Sequence, residues 1–85
     1  MIDLTKLTVI NLDGTETVIE FAKSLAQVIF QSTQSVGEHA LSLELYKTGQ
    51  IDDTQENRDI VTKYTGQYFV AYVQIALKQK LDENN

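Results

Sequence analysis

The sequence predicts an α+β domain in which an N-terminal β-hairpin is followed by three helices. Three observations carry this. Apolar residues alternate through the first twenty positions, an Asp13-Gly14 pair interrupts the alternation, and from Ala22 onward the apolar spacing becomes helical.

Residues 4–12 are rich in Leu, Val, Ile and Thr and read as a strand, with Thr5, Leu7 and Val9 on one face and Lys6, Thr8 and Ile10 on the other. Asp13-Gly14 is a dipeptide that supplies the positive φ angles of a tight turn. Residues 15–21 alternate again, Thr17, Ile19 and Phe21 against Glu16, Val18 and Glu20. A rival assignment starts a helix near Val18, because Thr17 and Glu20 have capping-box spacing. The hairpin is preferred, since a lone first strand would leave its backbone groups unpaired.

The first helix is predicted over residues 22–34, with Ala22, Leu25, Ala26, Val28, Ile29 and Phe30 on its apolar arc. The second is predicted over 38–48, apolar at Ala40, Leu41, Leu43, Leu45 and Tyr46. Gly49 ends it where a left-handed residue is favoured, and Ile51 is placed to make the accompanying apolar contact. Asp53 and Glu56, again at capping-box spacing, open a third helix over residues 54–80. The chain is expected to form one domain over residues 1–85, with a tail at 82–85 that frays.

The long last helix is the most informative segment. Glu56, Asp59, Lys63, Gln67, Gln74 and Lys78 fall within about 60° of one line at 100° per residue. Val70 lies inside that solvent stripe. The remaining residues divide into two apolar faces, Val61, Tyr64, Tyr68, Ala71, Tyr72 and Ile75 on one and Thr62, Gly66, Phe69, Val73, Ala76 and Leu77 on the other. A chain of 85 residues has a thin core, and two short helices with a hairpin cover one such face more readily than two. The excess predicts a homo-oligomer, a dimer by preference, whose interface is Gly66, Phe69, Val70, Val73, Ala76 and Leu77. The competing reading places this helix centrally, with both faces covered by its own chain.

The rest of the composition excludes more than it suggests. Cysteine is absent, which removes disulfides, thiolate metal sites and cysteine nucleophiles. His39 is the sole histidine, and Glu38 beside it points about 100° away on a helix, so the two form no ready dyad. Asp52, Asp53, Glu56 and Asp59 lack the alternate spacing and central glycine of a calcium loop. The dispersed glycines make no phosphate-cradling loop. No catalytic, cofactor-binding or metal-ligating residue is assigned, and a non-enzymatic domain is expected. Tyr64, Tyr68 and Tyr72 could stack nucleic-acid bases, but a net charge of −5, from twelve acidic and seven basic residues, disfavours a phosphate backbone. Neither a nucleic-acid partner nor a membrane is expected. Without a basic and apolar leader pattern at residues 1–6, the expected location is the cytoplasm.

Taken in order, a strand ending in Leu12-Asp13-Gly14, a helix with Leu25-Ala26 and Ile29-Phe30, a second with Leu43, Leu45 and Tyr46, the exit Lys47-Thr48-Gly49-Gln50-Ile51-Asp52 and a long final helix resemble small proteins without an assigned activity that bacteriophages and prophages encode. The resemblance covers nearly the whole chain and implies a phage or prophage origin. Ser42 and Glu44 depart from its apolar run, and it carries over no functional residue. The primary expectation is therefore a structural or protein-interaction domain that self-associates through its last helix. The alternative is an acidic regulatory protein that binds a basic partner protein, its charge steering the encounter.

Overall fold

In the computed structural model, which describes residues 1–83, two small antiparallel sheets and four helices share one hydrophobic core. Strand β2 (Lys6–Ile10) pairs with β3 (Glu16–Glu20), Leu7 opposite Ile19 and Val9 opposite Thr17. The alternation in the sequence sets the faces. Leu7 and Val9 are buried, while Lys6, Thr8 and Ile10 are exposed. The hairpin is therefore present, and no helix begins at Val18. Its turn is a residue longer than the Asp-Gly pair alone requires. Asn11 N–H donates to Thr15 O at 2.8 Å and Gly14 N–H to Asn11 O at 2.9 Å, which makes Leu12, Asp13 and Gly14 a three-residue loop. Only Gly14 there has a positive φ, 88°. Asp13 instead accepts from the Thr15 N–H and hydroxyl, at 3.0 and 2.7 Å.

Helix α1 (Ala22–Ser32) follows directly, buries Ala22, Leu25, Ala26 and Ile29, and stops two residues before the predicted end. Helix α2 (Val36–Thr48) starts two residues early because Ser35 caps it, its side chain accepting the Glu38 N–H at 3.4 Å. Its exit is the tightest corner of the molecule. Gly49 has φ 75° and donates to Leu45 O at 2.9 Å, and its own carbonyl accepts the Leu4 N–H at 2.8 Å. That contact draws the N-terminus across to form a second, unpredicted sheet. In it β1 (Ile2–Asp3) pairs with β4 (Gln50–Ile51), and Ile2, Leu4 and Ile51 all enter the core.

The helix predicted over residues 54–80 is not one helix. Helix α3 (Gln55–Tyr68) ends at Phe69, which is extended at φ −120° and ψ 151°, and α4 (Ala71–Glu83) begins after Val70. Thr54 caps α3, accepting the Asn57 N–H at 3.1 Å. Asp53, assigned to that role from the sequence, instead makes a two-pronged ion pair with Arg58 at 2.6 and 3.0 Å. The break lets both apolar faces turn inward: Val61 and Tyr64 from α3, then Val73, Ala76, Leu77 and Leu81 from α4. The extended Phe69 sets its ring edge-on to Phe21, with centroids 5.2 Å apart. The Gln74 amide closes the break by donating to Phe69 O at 2.8 Å. The fraying expected at residues 82–85 is not seen at its first two positions. Asp82 and Glu83 are helical, Leu81 is buried with its carbonyl bound to Arg58 at 3.1 Å, and residues 84–85 lie outside the described residues.

The corner at Gly49 yields a direct prediction. A Cβ there would strike the Thr5 hydroxyl and lie 3.2 Å from Thr5 Cβ, on a backbone that L-residues rarely adopt. Gly49→Ala should cost at least about 1–3 kcal/mol in urea unfolding, the scale of a non-glycine residue held left-handed.

Candidate interaction surface

The predicted interface is divided by the helix break. Val73, Ala76 and Leu77 are buried among this chain's own residues, and Phe69 is half-buried against Phe21. These four positions are thus core, and the assignment of them to a partner surface is corrected. The wheel that grouped them assumed one straight helix; at Phe69 the chain changes direction, so positions before and after it no longer share a face. Gly66 and Val70, the other two predicted interface residues, are exposed, and a Cβ on Gly66 would meet nothing within 4 Å.

The opposite grouping from the same segment, together with Val70, supplies the exposed apolar surface. Val61 and Tyr64 are buried, but beyond them Tyr68 is 53% exposed, Val70 63%, Tyr72 47% and Ile75 59%. All four lie within eight consecutive residues at the α3–α4 corner, where Tyr68 stacks on Tyr64 with centroids 6.3 Å apart. Ile75 and Ala71 line a groove of about 540 Å³ between the two helices, with Thr62 on the α3 side. Residues 64–77, fourteen in a row, include no charged side chain in a chain that is 22% charged. Gln67 and Gln74 are the polar members exposed around the corner. Charge returns only at the margin, where Arg58, Asp59, Lys78 and Asp82 also line the groove, and an aromatic, charge-depleted centre with a polar rim is the composition of an interface. The charge gap was visible in the sequence; which of its residues face outward was not.

A second apolar groove, of about 380 Å³, runs between α1 and α2 past Ala26, Phe30, Leu43 and Tyr46. Phe30, assigned to the apolar arc of the first helix, is half exposed and lies against the His39 ring at 5.1 Å. Lys23 sits over the Tyr46 ring at 5.5 Å. Gln27, Gln31 and Ser42 complete its lining, and none of its lining residues is charged.

Between these surfaces, Glu38 anchors α2 to α3. One carboxylate oxygen accepts from the Tyr64 hydroxyl at 2.6 Å and the Thr33 hydroxyl at 2.7 Å, and the other from the Lys63 ammonium at 2.9 Å. The Tyr64 hydrogen bond, then those of Lys63 and Thr33, lowers the Glu38 pKa from 4.5 to about 2. Lys63, raised by the same carboxylate, also lies 4.7 Å from the Tyr64 ring centroid. Glu38 thereby fixes Tyr64, on which Tyr68 stacks. Among the described residues no three His, Asp or Glu side chains converge as a metal site would require, and no helix is long and apolar enough to cross a membrane.

Because the folded-state pKa of Glu38 is depressed, its ionised form stabilises the fold above pH 4.5, and that contribution is lost as pH falls from 4.5 towards 2. Glu38→Gln should therefore lower the denaturation midpoint clearly at pH 7, and the gap from the parent should narrow through this window. Guanidinium unfolding of both chains at several pH values reads the difference directly, isolated from the other lowered carboxylates, Asp3, Asp13 and Asp53, which both chains retain.

No protein-family model, curated protein or solved structure matches this chain, so its functional reading rests on its own surface.

Proposed function

We propose that this chain is a non-enzymatic, cytoplasmic protein-interaction domain that forms a homodimer through the exposed α3–α4 corner. The observation that carries the reading is the charge-free run 64–77, whose exposed large residues are Tyr68, Val70, Tyr72 and Ile75. A second copy is the occupant favoured by electrostatics. Each chain carries −5, and an interface through most of the surface would set carboxylates against carboxylates. The exposed side chains of run 64–77 at this corner are tyrosine, aliphatic and glutamine, so a twofold contact centred on them sets no carboxylate against another. An isologous contact also needs just one self-complementary patch, which a short corner provides.

The patch is modest. Four half-exposed residues offer a few hundred Å² at most, against about 800 Å² per partner in a standard interface. The expected dimer is accordingly weak and in exchange with monomer. The motivation for phage origin remains the sequence resemblance alone, and it fits a small assembly component without chemistry of its own.

Sedimentation equilibrium from low micromolar to millimolar concentration should show mass rising towards the dimer. Val70→Ser with Tyr72→Ser should hold the protein monomeric with stability changed by less than about 1 kcal/mol, since two exposed substitutions each cost at most about 0.5. Leu77→Ala separates surface from core. It should destabilise the fold by about 2–5 kcal/mol in urea, the cost of a cavity at a buried leucine. A parent chain that stays monomeric throughout, or a double variant that dimerises like the parent, rejects the proposal.

A further inference from the structure

Strand β3 is an open sheet edge whose backbone and charges are arranged to receive another strand. The hydrogen bonds from Phe21 N–H to Thr5 O, 3.1 Å, and from Asn11 N–H to Thr15 O, 2.8 Å, fix the ladder's phase. With Lys6 opposite Glu20 and Ile10 opposite Glu16, the bonded pairs are Thr5–Phe21, Leu7–Ile19, Val9–Thr17 and Asn11–Thr15. The backbone N–H and C=O groups of Glu16, Val18 and Glu20 therefore point away from β2. None of them enters a backbone hydrogen bond outside the hairpin. The other side of the hairpin is occupied differently. Helix α4 packs on β2, and its Gln79, Lys80 and Glu83 wall a groove with Lys6, Thr8 and Ile10 that reaches Glu16 at the start of β3. Every β3 residue except Ile19 is exposed.

The side chains on this edge select the strand it can take. Glu16 and Glu20 flank Val18, and Ile10 lies diagonally from Val18 on the same outer face, both apolar residues more than half exposed. Residues 6–20 hold Lys6 against Asp13, Glu16 and Glu20, a net of −2, and the lysines beside the two glutamates, Lys23 and Lys47 by Glu20 and Lys80 by Glu16, come from other elements rather than from the ladder. A second copy is a poor occupant. Twofold antiparallel pairing about Val18 would set Glu16 of each chain directly against Glu20 of the other, and like charges placed opposite one another destabilise a ladder. We propose that β3 docks an extended, basic segment of another protein by strand addition, an apolar residue beside Val18 and a Lys or Arg opposite each glutamate. Main-chain hydrogen bonds supply the affinity and the alternating side chains the selectivity. The site lies apart from the α3–α4 corner and gives a basic partner protein a definite place to bind. It does not rest on the dimer reading.

The test uses the full chain and two blocked peptides, one built on Lys-Thr-Val-Thr-Lys and its twin on Glu-Thr-Val-Thr-Glu. On saturation with the basic peptide, NMR hydrogen exchange at the Val18 amide should slow by at least about tenfold, as a newly bonded amide does. Binding should weaken with added salt, and the acidic twin should give no protection. Glu16→Lys with Glu20→Lys should exchange the two preferences while circular dichroism stays unchanged. Val18→Pro, which removes only an outward N–H, should abolish protection at the neighbouring outward amides of Glu16 and Glu20. The proposal is overturned if the basic peptide leaves β3 amides unprotected, if the charge-reversed chain still prefers it, or if Val18 protection grows with protein concentration alone, meaning a second copy takes the edge. The Val70→Ser and Tyr72→Ser chain should bind the peptide like the parent, so a failure here leaves the dimer reading standing.

Discussion

A helix with two apolar faces cannot lie straight on a small core, and the rest of this molecule is arranged around that constraint. Between residues 55 and 83 the chain carries more apolar surface than one face of a helix can bury. The fold answers by breaking the helix at Phe69 and Val70. The break turns Val61 and Tyr64 inward on one side, and Val73, Ala76 and Leu77 on the other. It also puts Phe69 edge-on to Phe21, at the junction between the hairpin and α1, so one residue joins three elements. What cannot be folded inward, Tyr68, Val70, Tyr72 and Ile75, is left at the corner itself.

The same economy governs the polar contacts. Each connection is closed by a short-range side-chain or backbone bond: Ser35 at the start of α2, Gly49 at its end, Thr54 at the start of α3, and Gln74 across the break. No buried side-chain polar atom among the described residues lacks a partner; the two buried polar residues, Ser42 and Thr65, bond to the carbonyls of His39 and Val61. Glu38 is a long-range polar hub, tying the α1–α2 connection to α3 through Thr33, Tyr64 and Lys63, and Arg58 ties Asp53 to the Leu81 carbonyl. The two surface features that we propose as contacts, the uncharged corner and the open β3 edge, differ in charge. The corner excludes charge and suits self-recognition. The edge displays charge and rejects it.

Much of the architecture was legible because local physics fixes it. Period-two alternation gave the hairpin and its buried face, helical periodicity gave α1 and α2, and Gly49 marked its own corner. The break at Phe69 was signalled only weakly, by Gly66 and by the aromatic and β-branched residues 68–70 and 72–73, which form helix poorly. Angle counting across that break assigned Val73, Ala76 and Leu77 to a partner, when they belong to the core. The β1–β4 pair escaped because each strand is two residues long, too short for any period.

The sequence alone determined the fold class, the hairpin register face, the helix stop at Gly49 and the lack of charge in residues 64–77, because each depends on residues within a few positions of one another. Tertiary structure alone decided which of two apolar faces became core, that Glu38 serves Tyr64 and Lys63, and that β3 is the open edge. Those outcomes depend on which distant segments meet, and a chain with two comparable apolar faces leaves that choice to the packing of the whole.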